Sequence, residues 1–201
     1  IPAFGIQYFI GVDGISLFLL VLTGFLTPLA LLSSWESVHK RVKNFSFLVL
    51  ALETAMLGVF VSLDLFLFFV FYELAVLPMY VLIGVWGSTR KEYGAMKLTL
   101  YLMAGSALVL VGMLALYFGS GLRTFDMLAL ARNVTTSRAF QQIFFPPLFV
   151  GFAVLAGMVP FHTWSPTGHV AAPTAVSMLH AGVRMKLGAY ACLRAAMWLM
   201  P

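Results

Sequence analysis

Charged residues are scarce in this sequence of 201 residues, because Asp, Glu, Lys and Arg together make up only 9% of it. A soluble globular domain has about a quarter of its residues charged. Hydrophobic residues make up 62%, and the mean hydropathy is +0.99. Too few charges remain to build a soluble surface, so the composition predicts an integral membrane protein.

Cysteine is almost absent as well, since Cys192 stands alone. A single thiol excludes an internal disulfide and any metal or iron–sulfur site with several cysteine ligands. The sequence also lacks a phosphate-cradling glycine-rich loop, a His-x-x-x-His pair and a CxxC motif. We therefore expect no redox chemistry, cofactor or metal in this chain, and we interpret Cys192 as a small apolar helix residue.

Acidic residues are outnumbered, 7 against 12 Lys and Arg, which gives a net charge of +5. A basic balance can indicate nucleic-acid binding. Here, however, the basic residues are spread along predicted loops and helix ends, without a dense basic tract. The positive-inside rule of membrane proteins accounts for that distribution better. We expect the lipid bilayer, and no nucleic acid, as a partner.

The sequence begins with Ile1, and no charged segment precedes its first apolar stretch. This is not the pattern of a signal peptide. We expect the chain to be a piece of a longer protein.

Five apolar stretches are long enough to cross a membrane, since a spanning helix needs about 20 mostly apolar residues. They lie at residues 15–35, 45–63, 65–86, 97–118 and 174–199. An irregular sixth unit lies at 146–169. The sequence thus predicts an all-α polytopic bundle of about six membrane segments, one of which is broken.

The irregular unit offers too little helix to cross. Residues 146–159 give about 21 Å of helix against roughly 30 Å of hydrocarbon. Pro160 then removes a backbone donor, and a polar segment with Pro166 and Gly168 follows. Irregular backbone at membrane depth persists only against protein or a water-filled cavity, and broken helices mark ion paths in transporters. The alternative is an ordinary helix followed by a surface loop.

The basic residues indicate which helix ends face the cytoplasm. If each stretch crosses once, one side carries Lys40, Arg41, Lys43, Arg90, Lys91 and Lys97. The other side carries Arg123, Arg132 and Arg138 in a loop at 119–145. The larger group predicts the cytoplasmic side, which places the N-terminus outside.

The second and third stretches meet at Asp64, close enough for a tight helical hairpin. The Asp64 carboxylate either caps the third helix or has a role at the membrane face. Glu73 follows Asp64 by nine residues and Glu53 precedes it by eleven, which puts both about 14–16 Å along the hairpin. Because a charge at the bilayer centre is costly, such residues usually face a bundle interior. Two close carboxylates could bind and release a proton.

The last stretch carries three cationic or titratable residues. Lys186 lies about 18 Å into the helix, where a buried lysine could exchange a proton. His180 and Arg184 are four residues apart and so share a face, and His180 could relay protons. The alternative for each is a structural role, which for Arg184 is that of an anchor to a partner carboxylate. His162 and His169 could instead bond the freed backbone groups of the irregular unit.

Several motifs occur together in a fixed order. They are GVDGISL at 11–17, DLFLFFVFYEL at 64–74, LPMY at 77–80, VPFHTW at 159–164, APT at 172–174 and KLGAY at 186–190. Through these motifs and their order, essentially the whole chain resembles the antiporter-like subunits of respiratory complex I, which is the NADH–quinone oxidoreductase. The resemblance implies two inverted five-helix repeats. Residues 1–44 would be a membrane helix with a cytoplasmic loop, and 45–201 the first repeat.

The resemblance also implies site residues. In the family, a mid-membrane glutamate pairs with a lysine on the broken helix, and a lysine on the next helix relays protons. These motifs place the glutamate at Glu73, the relay lysine at Lys186 and a basic helix-start residue at Lys97. The broken-helix lysine does not match, because Leu155 stands there. Arg184, at a typically apolar family position, could replace it.

The resemblance implies proton translocation driven by electron transfer in other subunits. NADH, flavin, iron–sulfur clusters and quinone would belong to partner subunits, and this chain would lie in a bacterial inner membrane beside other membrane subunits of complex I. Two alternatives stay open. One is a subunit of a multi-component sodium/proton antiporter or membrane-bound hydrogenase, and the other is a structural membrane subunit that has lost pumping, which Leu155 would favour.

Overall fold

Helices form nearly all of the computed structural model, which describes residues 4–133 and 137–200. The helices up to the irregular unit are α1 (Gly14–Ser33), α2 (Val42–Val61), α3 (Leu65–Leu74), α4 (Val76–Trp86), α5 (Lys91–Gly119), α6 (Met127–Asn133), α7 (Arg138–Ala156) and α8 (Trp164–Ala171). The final stretch, 174–197, is continuously helical and consists of α9 (Thr174–Leu179), a π-helical turn (His180–Arg184), α10 (Met185–Ala191) and a second π-helical turn (Cys192–Met197). The predicted all-α fold is confirmed.

Five segments are long and apolar enough to span a membrane: Gly14–Ser33, Val42–Val61, Leu65–Trp86, Lys91–Gly119 and Arg138–Ala156. The first four lie where the sequence predicts spans, and α3 and α4 together form the third. The final helical stretch agrees with the predicted span at 174–199. Within that stretch the two π-helical turns interrupt the regular α-helical pattern.

The fifth of these segments corrects the prediction for the irregular unit. Helix α7 begins at Arg138 rather than Pro146 and has 19 residues, about 28 Å of helix. Polar residues occupy its first turns, and Pro146 and Pro147 resemble a helix start, so the hydropathy pattern alone predicts a later beginning. The expected loop at 119–145 is correspondingly shorter and contains α6. The break itself is real, because non-helical backbone separates α7 from α8.

Asp64 caps α3, which confirms the capping interpretation. Its Oδ1 accepts hydrogen bonds from the backbone N–H groups of Phe66 and Leu67, each at 3.0 Å. Its Oδ2 accepts one from the N–H of Gln7 at 3.0 Å. The carboxylate is fully buried, so these bonds offset the cost of its desolvation. Asp64 thereby fixes the start of the helix that carries Glu73.

Glycine residues allow helix α7, the first part of the broken helix, to pack closely against its neighbours. A Cβ added at Gly151 of α7 would lie 2.8 Å from the Gly105 carbonyl oxygen of α5. On the other side, Gly188 of α10 packs directly on the backbone of Ala156. Membrane helices associate largely through such close van der Waals packing. Helix α7 is therefore held between α5 and α10, beside the charged residues described next.

Candidate functional site

Glu73 is the acidic centre of the candidate site. It lies in the last turn of α3 and is partly buried, and its carboxylate accepts a hydrogen bond from the Ser106 hydroxyl of α5. Ser106 also contacts the Leu102 carbonyl oxygen at 2.9 Å. Because Asp64 anchors the start of α3 and Ser106 holds its end, the Glu73 carboxylate has a defined position. The structure pairs it with a hydroxyl of another helix and not with Glu53.

Ser106 is a residue of the candidate site that the sequence alone did not indicate. It is the buried hydroxyl of a long apolar helix, only 6% exposed. A hydroxyl inside a membrane helix commonly bonds its own backbone, and Ser106 does so as well. The signal that could have found it is its position near the middle of α5, at a depth comparable with that of Glu73.

Arg184 brings a positive charge to the same region. Its side chain is 2% exposed, and its Nε and Nη2 atoms have no hydrogen-bond partner among the described residues. The guanidinium lies within electrostatic range of Glu73 and of the Tyr72 phenol. Leu155 is also 2% exposed, in the hydrophobic core. In the described part of the chain, the buried cation of this region is therefore Arg184 of the final helical stretch, and position 155 is apolar.

His180 lies next to Arg184 in this interior, and both belong to the π-helical turn His180–Arg184. Single π-helical turns inside α-helices are frequent at functional sites. His180 is 1% exposed, and neither ring nitrogen has a hydrogen-bond partner in the described part of the chain. The prediction that the two side chains share one face agrees with their common burial.

His169 of α8 continues the row of polar groups. Its ring meets the His180 ring at 4.5 Å between centroids, and its Nδ1 lies 2.8 Å from the Ser177 hydroxyl. His169 was one candidate to bond the freed backbone groups of the irregular unit, but its bond to Ser177 joins two side chains. His162 has a buried Nδ1 without a partner among the described residues. This nitrogen therefore does not bond a freed backbone group of the irregular unit.

Lys97 lies at a surface cleft rather than in the interior row. Its Nζ donates a hydrogen bond to the Thr167 hydroxyl of α8 at 3.2 Å and lies 6.0 Å from the Tyr93 ring centroid. The cleft, about 530 Å³, is lined by Lys97, Thr167 and residues of the α4–α5 turn such as Arg90. It therefore opens at the membrane face that carries the larger group of basic residues.

Lys186 is not buried in the described bundle, contrary to the prediction. It is exposed, and its ammonium donates a hydrogen bond to the Gly182 carbonyl oxygen. The inward face of α10 consists instead of Leu187, Gly188 and Tyr190. Lys186 belongs to the outer face of the same helix, because Gly188 must approach α7 closely and so fixes the helix rotation.

Glu53 is partly buried on α2 and makes no ion pair or hydrogen bond within the described ranges. The carboxylate of Glu73 bonds Ser106. The assembled site therefore consists of Ser106, Glu73, Arg184, His180 and His169, which join α5, α3, the final stretch and α8. Such a row can bind a proton at a carboxylate and at imidazoles beside a fixed positive charge.

The chain matches two family descriptions in succession. "NADH-ubiquinone oxidoreductase chain 4, amino terminus" matches residues 2–60, and "NADH:quinone oxidoreductase/Mrp antiporter, TM" matches residues 62–201. NADH-ubiquinone oxidoreductase chain 4 of Prototheca wickerhamii is 44% identical over 98% of this chain and 37% of its own length. NADH-quinone oxidoreductase subunit M of Rhodobacter capsulatus is 42% identical over 98% and 40%. The chain thus spans about two fifths of these curated relatives.

Two solved structures are similar as well. A chain of respiratory complex I from Thermus thermophilus with bound NADH has a TM-score of 0.87 and 27% identity, covering 100% of this chain and 42% of that one. A chain of the membrane-bound sulfane sulfur reductase, an archaeal respiratory membrane complex, has a TM-score of 0.78 and 25% identity, covering 88% and 36%. The likeness therefore extends to respiratory membrane complexes of more than one kind.

Proposed function

Because the chain belongs to the NADH:quinone oxidoreductase/Mrp antiporter transmembrane family, we propose that it is part of a proton-translocating membrane subunit of NADH–quinone oxidoreductase, subunit M or chain 4. Other subunits of the complex carry out electron transfer and hold NADH, flavin, iron–sulfur clusters and quinone, and this chain holds none of them. Its partners are the other membrane subunits, and its location is a bacterial inner membrane. Residues 1–44 and 45–201 are a first membrane helix with its loop and the first five-helix repeat.

The observation that carries the proposal is the hydrogen bond that holds the Glu73 carboxylate to the Ser106 hydroxyl, in a bundle interior that also contains the buried guanidinium of Arg184. A buried guanidinium is costly unless a negative charge compensates it, and Glu73 is a carboxylate in range. Arginine does not give up its proton in proteins, so Arg184 acts as a fixed positive charge. The group that gains and loses the proton is then Glu73, and the proton's arrival there depends on how closely Arg184 approaches.

The route to Glu73 begins at the cleft beside Lys97. The cleft lies on the predicted cytoplasmic side and borders α8, the helix that carries His169. From His169 the proton passes to His180, whose ring contacts it, and then past Arg184 to Glu73.

Lys186 takes the proton onward. It is exposed on the outer face of the final stretch, and this face turns away from α7. Because the relatives are much longer than this chain, we assign that face to the remainder of the protein. Moving one charge against 100 mV takes about 2.3 kcal/mol, which a change of about two pKa units in one group covers.

The test is the proton-to-electron stoichiometry of the assembled complex carrying Glu73→Gln. We expect a lower stoichiometry, because the amide cannot take up a proton. Glu92→Gln is the matched control, since Glu92 is an exposed residue in the first turn of α5. NADH oxidation with an artificial electron acceptor checks that the redox subunits are intact. Unchanged stoichiometry with Glu73→Gln would overturn the proposal.

A second candidate is a subunit of a multi-component sodium/proton antiporter or a membrane-bound hydrogenase. The family description includes the Mrp antiporter, and the similarity to the sulfane sulfur reductase supports a wider set of complexes. Co-purification separates them. Flavin and iron–sulfur partners with NADH oxidation indicate complex I, and sodium-dependent transport without those partners indicates the antiporter.

A further inference from the structure

A basic cleft lies at the membrane face that carries the larger group of basic residues. It has a volume of about 760 Å³ and lies between the α1–α2 connection, the end of α4 and the start of α9. We call this surface the basic cleft, and the side chains that characterise it are His39, Lys40, Arg41, Trp86, Lys91 and Thr174. None of these residues belongs to the proton route described above.

The charge of the basic cleft is positive and uncompensated by its lining. Lys40, Arg41 and Lys91 supply three positive charges, and no acidic residue is among the described residues that line it. The Lys91 ammonium donates one hydrogen bond, at 3.0 Å, to the Val85 carbonyl oxygen. An ammonium has three donors, so further donors of Lys91 can reach an anion in the cleft.

The loop that carries the other two charges has a fixed backbone. The Trp86 indole N–H donates a hydrogen bond to the Lys40 carbonyl oxygen at 2.7 Å, which ties the α1–α2 connection to the end of α4. The Trp86 ring in turn packs edge-on against Phe45, with centroids 5.5 Å apart. The positive side chains therefore project from a braced edge of the cleft, which favours a defined anion position.

An apolar cleft of about 430 Å³ adjoins the basic cleft. The two share Val38 and His39 in their linings. The apolar cleft follows the junction of α1 and α2, and its other lining residues include Leu31, Leu32, Trp35, Val42 and Phe45. Trp35 is 80% exposed, and tryptophan is enriched at the membrane–water interface. A positive and an apolar surface thus meet at the depth of the lipid headgroups.

We propose that these two clefts together bind one anionic glycerophospholipid, independently of the proton-translocating function. Its phosphate lies in the basic cleft between Lys40, Arg41 and Lys91, and one acyl chain follows the apolar cleft along α1 and α2. A net negative headgroup matches the three unpaired positive charges better than a zwitterionic one does. Inorganic phosphate would use only the charged half of the site.

The test uses the full-length protein in its complex, reconstituted into phosphatidylcholine membranes with and without phosphatidylglycerol. Native mass spectrometry of the released subunit measures the retained lipid. The charge variant is Lys40→Gln/Arg41→Gln/Lys91→Gln. Each basic residue near a membrane surface contributes on the order of 1 kcal/mol to anionic-lipid binding, so the loss of three charges should weaken the binding of phosphatidylglycerol by about a hundredfold. The matched control is Arg123→Gln/Arg132→Gln/Arg138→Gln at the opposite membrane side, which should retain the lipid.

A second variant separates the lipid from free phosphate. Val42→Trp fills the apolar cleft without changing charge, and Val42 is exposed at the surface, so the fold tolerates it. We expect it to reduce phosphatidylglycerol retention as well. The proposal would be overturned if the charge variant and its control retained equal amounts of phosphatidylglycerol. It would also be overturned if the wild-type protein retained phosphatidylcholine as well as phosphatidylglycerol, or if inorganic phosphate displaced all of the bound lipid. Lys91→Gln alone repeats the comparison if the triple variant does not fold.

Discussion

The imidazole rings of His169 and His180 meet with their centroids 4.5 Å apart and their planes at 64°. One ring belongs to α8 and the other to the π-helical turn of the final stretch. His180 also lies within electrostatic range of Arg184, and Arg184 within range of Glu73. This ring contact therefore connects the broken helix to the helical stretch that carries Arg184.

Replacing His180 with Leu should interrupt proton delivery to Glu73. The leucine fills a similar volume but has no nitrogen to bind a proton, so we expect the rate of proton translocation to fall by about tenfold or more. The measurement is proton translocation by the assembled complex at matched rates of NADH oxidation.

Cys192→Ala is the control for this variant, because Cys192 is a buried thiol of the same helical stretch. Among the residues that the structure describes, its sulfur makes only a weak hydrogen bond to the Phe149 carbonyl oxygen, at 4.0 Å. Ser177→Ala removes the hydroxyl beside His169 and should have a smaller effect. Full activity of the His180→Leu variant would exclude the histidine pair from the route.

The positive charge at position 184 can be moved to position 155 by exchanging the residues at these two positions. Arg184→Leu should abolish most pumping and destabilise the fold, because it removes the buried cation of the interior that holds the partly buried Glu73. Arg184→Leu combined with Leu155→Lys should regain part of both, since the cation then comes from α7. The wild type, Arg184→Leu, Leu155→Lys and the double variant form a double-mutant cycle. Proton translocation and thermal unfolding are measured for all four.

The sign of the coupling in that cycle decides between two interpretations. A favourable interaction energy of about 0.5–3 kcal/mol between positions 155 and 184 supports a shared role as partner of Glu73. Additive effects indicate that Arg184 is a structural anchor. Regained pumping in Leu155→Lys alone, from an inactive parent, would instead favour a structural subunit that has lost transport.

The sequence predicted the membrane-spanning fold, the Asp64 cap and the family, and each of these is confirmed. They depend on local signals, namely apolar length, a carboxylate before a helix and ordered motifs. The partner of Glu73 depends on which helix faces which, and Ser106 carries no local signal of that kind. Lys186 was predicted to be buried because only depth along the helix was considered. Its rotation follows from the packing of Gly188 on Ala156, which no single helix reveals.

Gly188 should tolerate no larger side chain. A Cβ at this position would lie 2.6 Å from the Ala156 Cα, and the neighbour is backbone that cannot rotate away. We expect Gly188→Ala to destabilise the protein by about 1–3 kcal/mol. The control is Gly24→Ala in α1, where nothing lies within 4 Å of the added Cβ. It should be neutral or stabilising, because alanine favours helix over glycine by about 1 kcal/mol.

Thermal unfolding of the full-length protein in detergent measures both changes. Equal melting temperatures for the two variants would show that α10 and α7 can separate without loss, and the packing argument for the rotation of Lys186 would then fail. A lower melting temperature for Gly188→Ala alone supports it.

Asp13 provides a pH-dependent contact between the two ends of the chain. It caps α1 through Ser16, whose N–H lies 2.8 Å from its Oδ1. Its Oδ2 also lies 2.7 Å from Nη1 of Arg194 in the second π-helical turn. Burial alone would raise the pKa of Asp13, but the Ser16 hydrogen bonds and the Arg194 charge outweigh it and hold the pKa below its usual value.

A carboxyl group whose pKa is lower in the folded state stabilises the fold above its unfolded pKa of about 3.9, and this contribution disappears as the pH falls through the folded value. We therefore expect the melting temperature to fall as the pH is lowered below about 4, by an amount that corresponds to at most about 1 kcal/mol because both side chains are partly exposed. Asp13→Asn keeps a capping side chain and removes the charge, so its melting temperature should be lower at neutral pH and vary less below pH 4. If the wild-type and Asp13→Asn curves stay parallel over this range, the Asp13–Arg194 pair does not hold α1 against the final helical stretch.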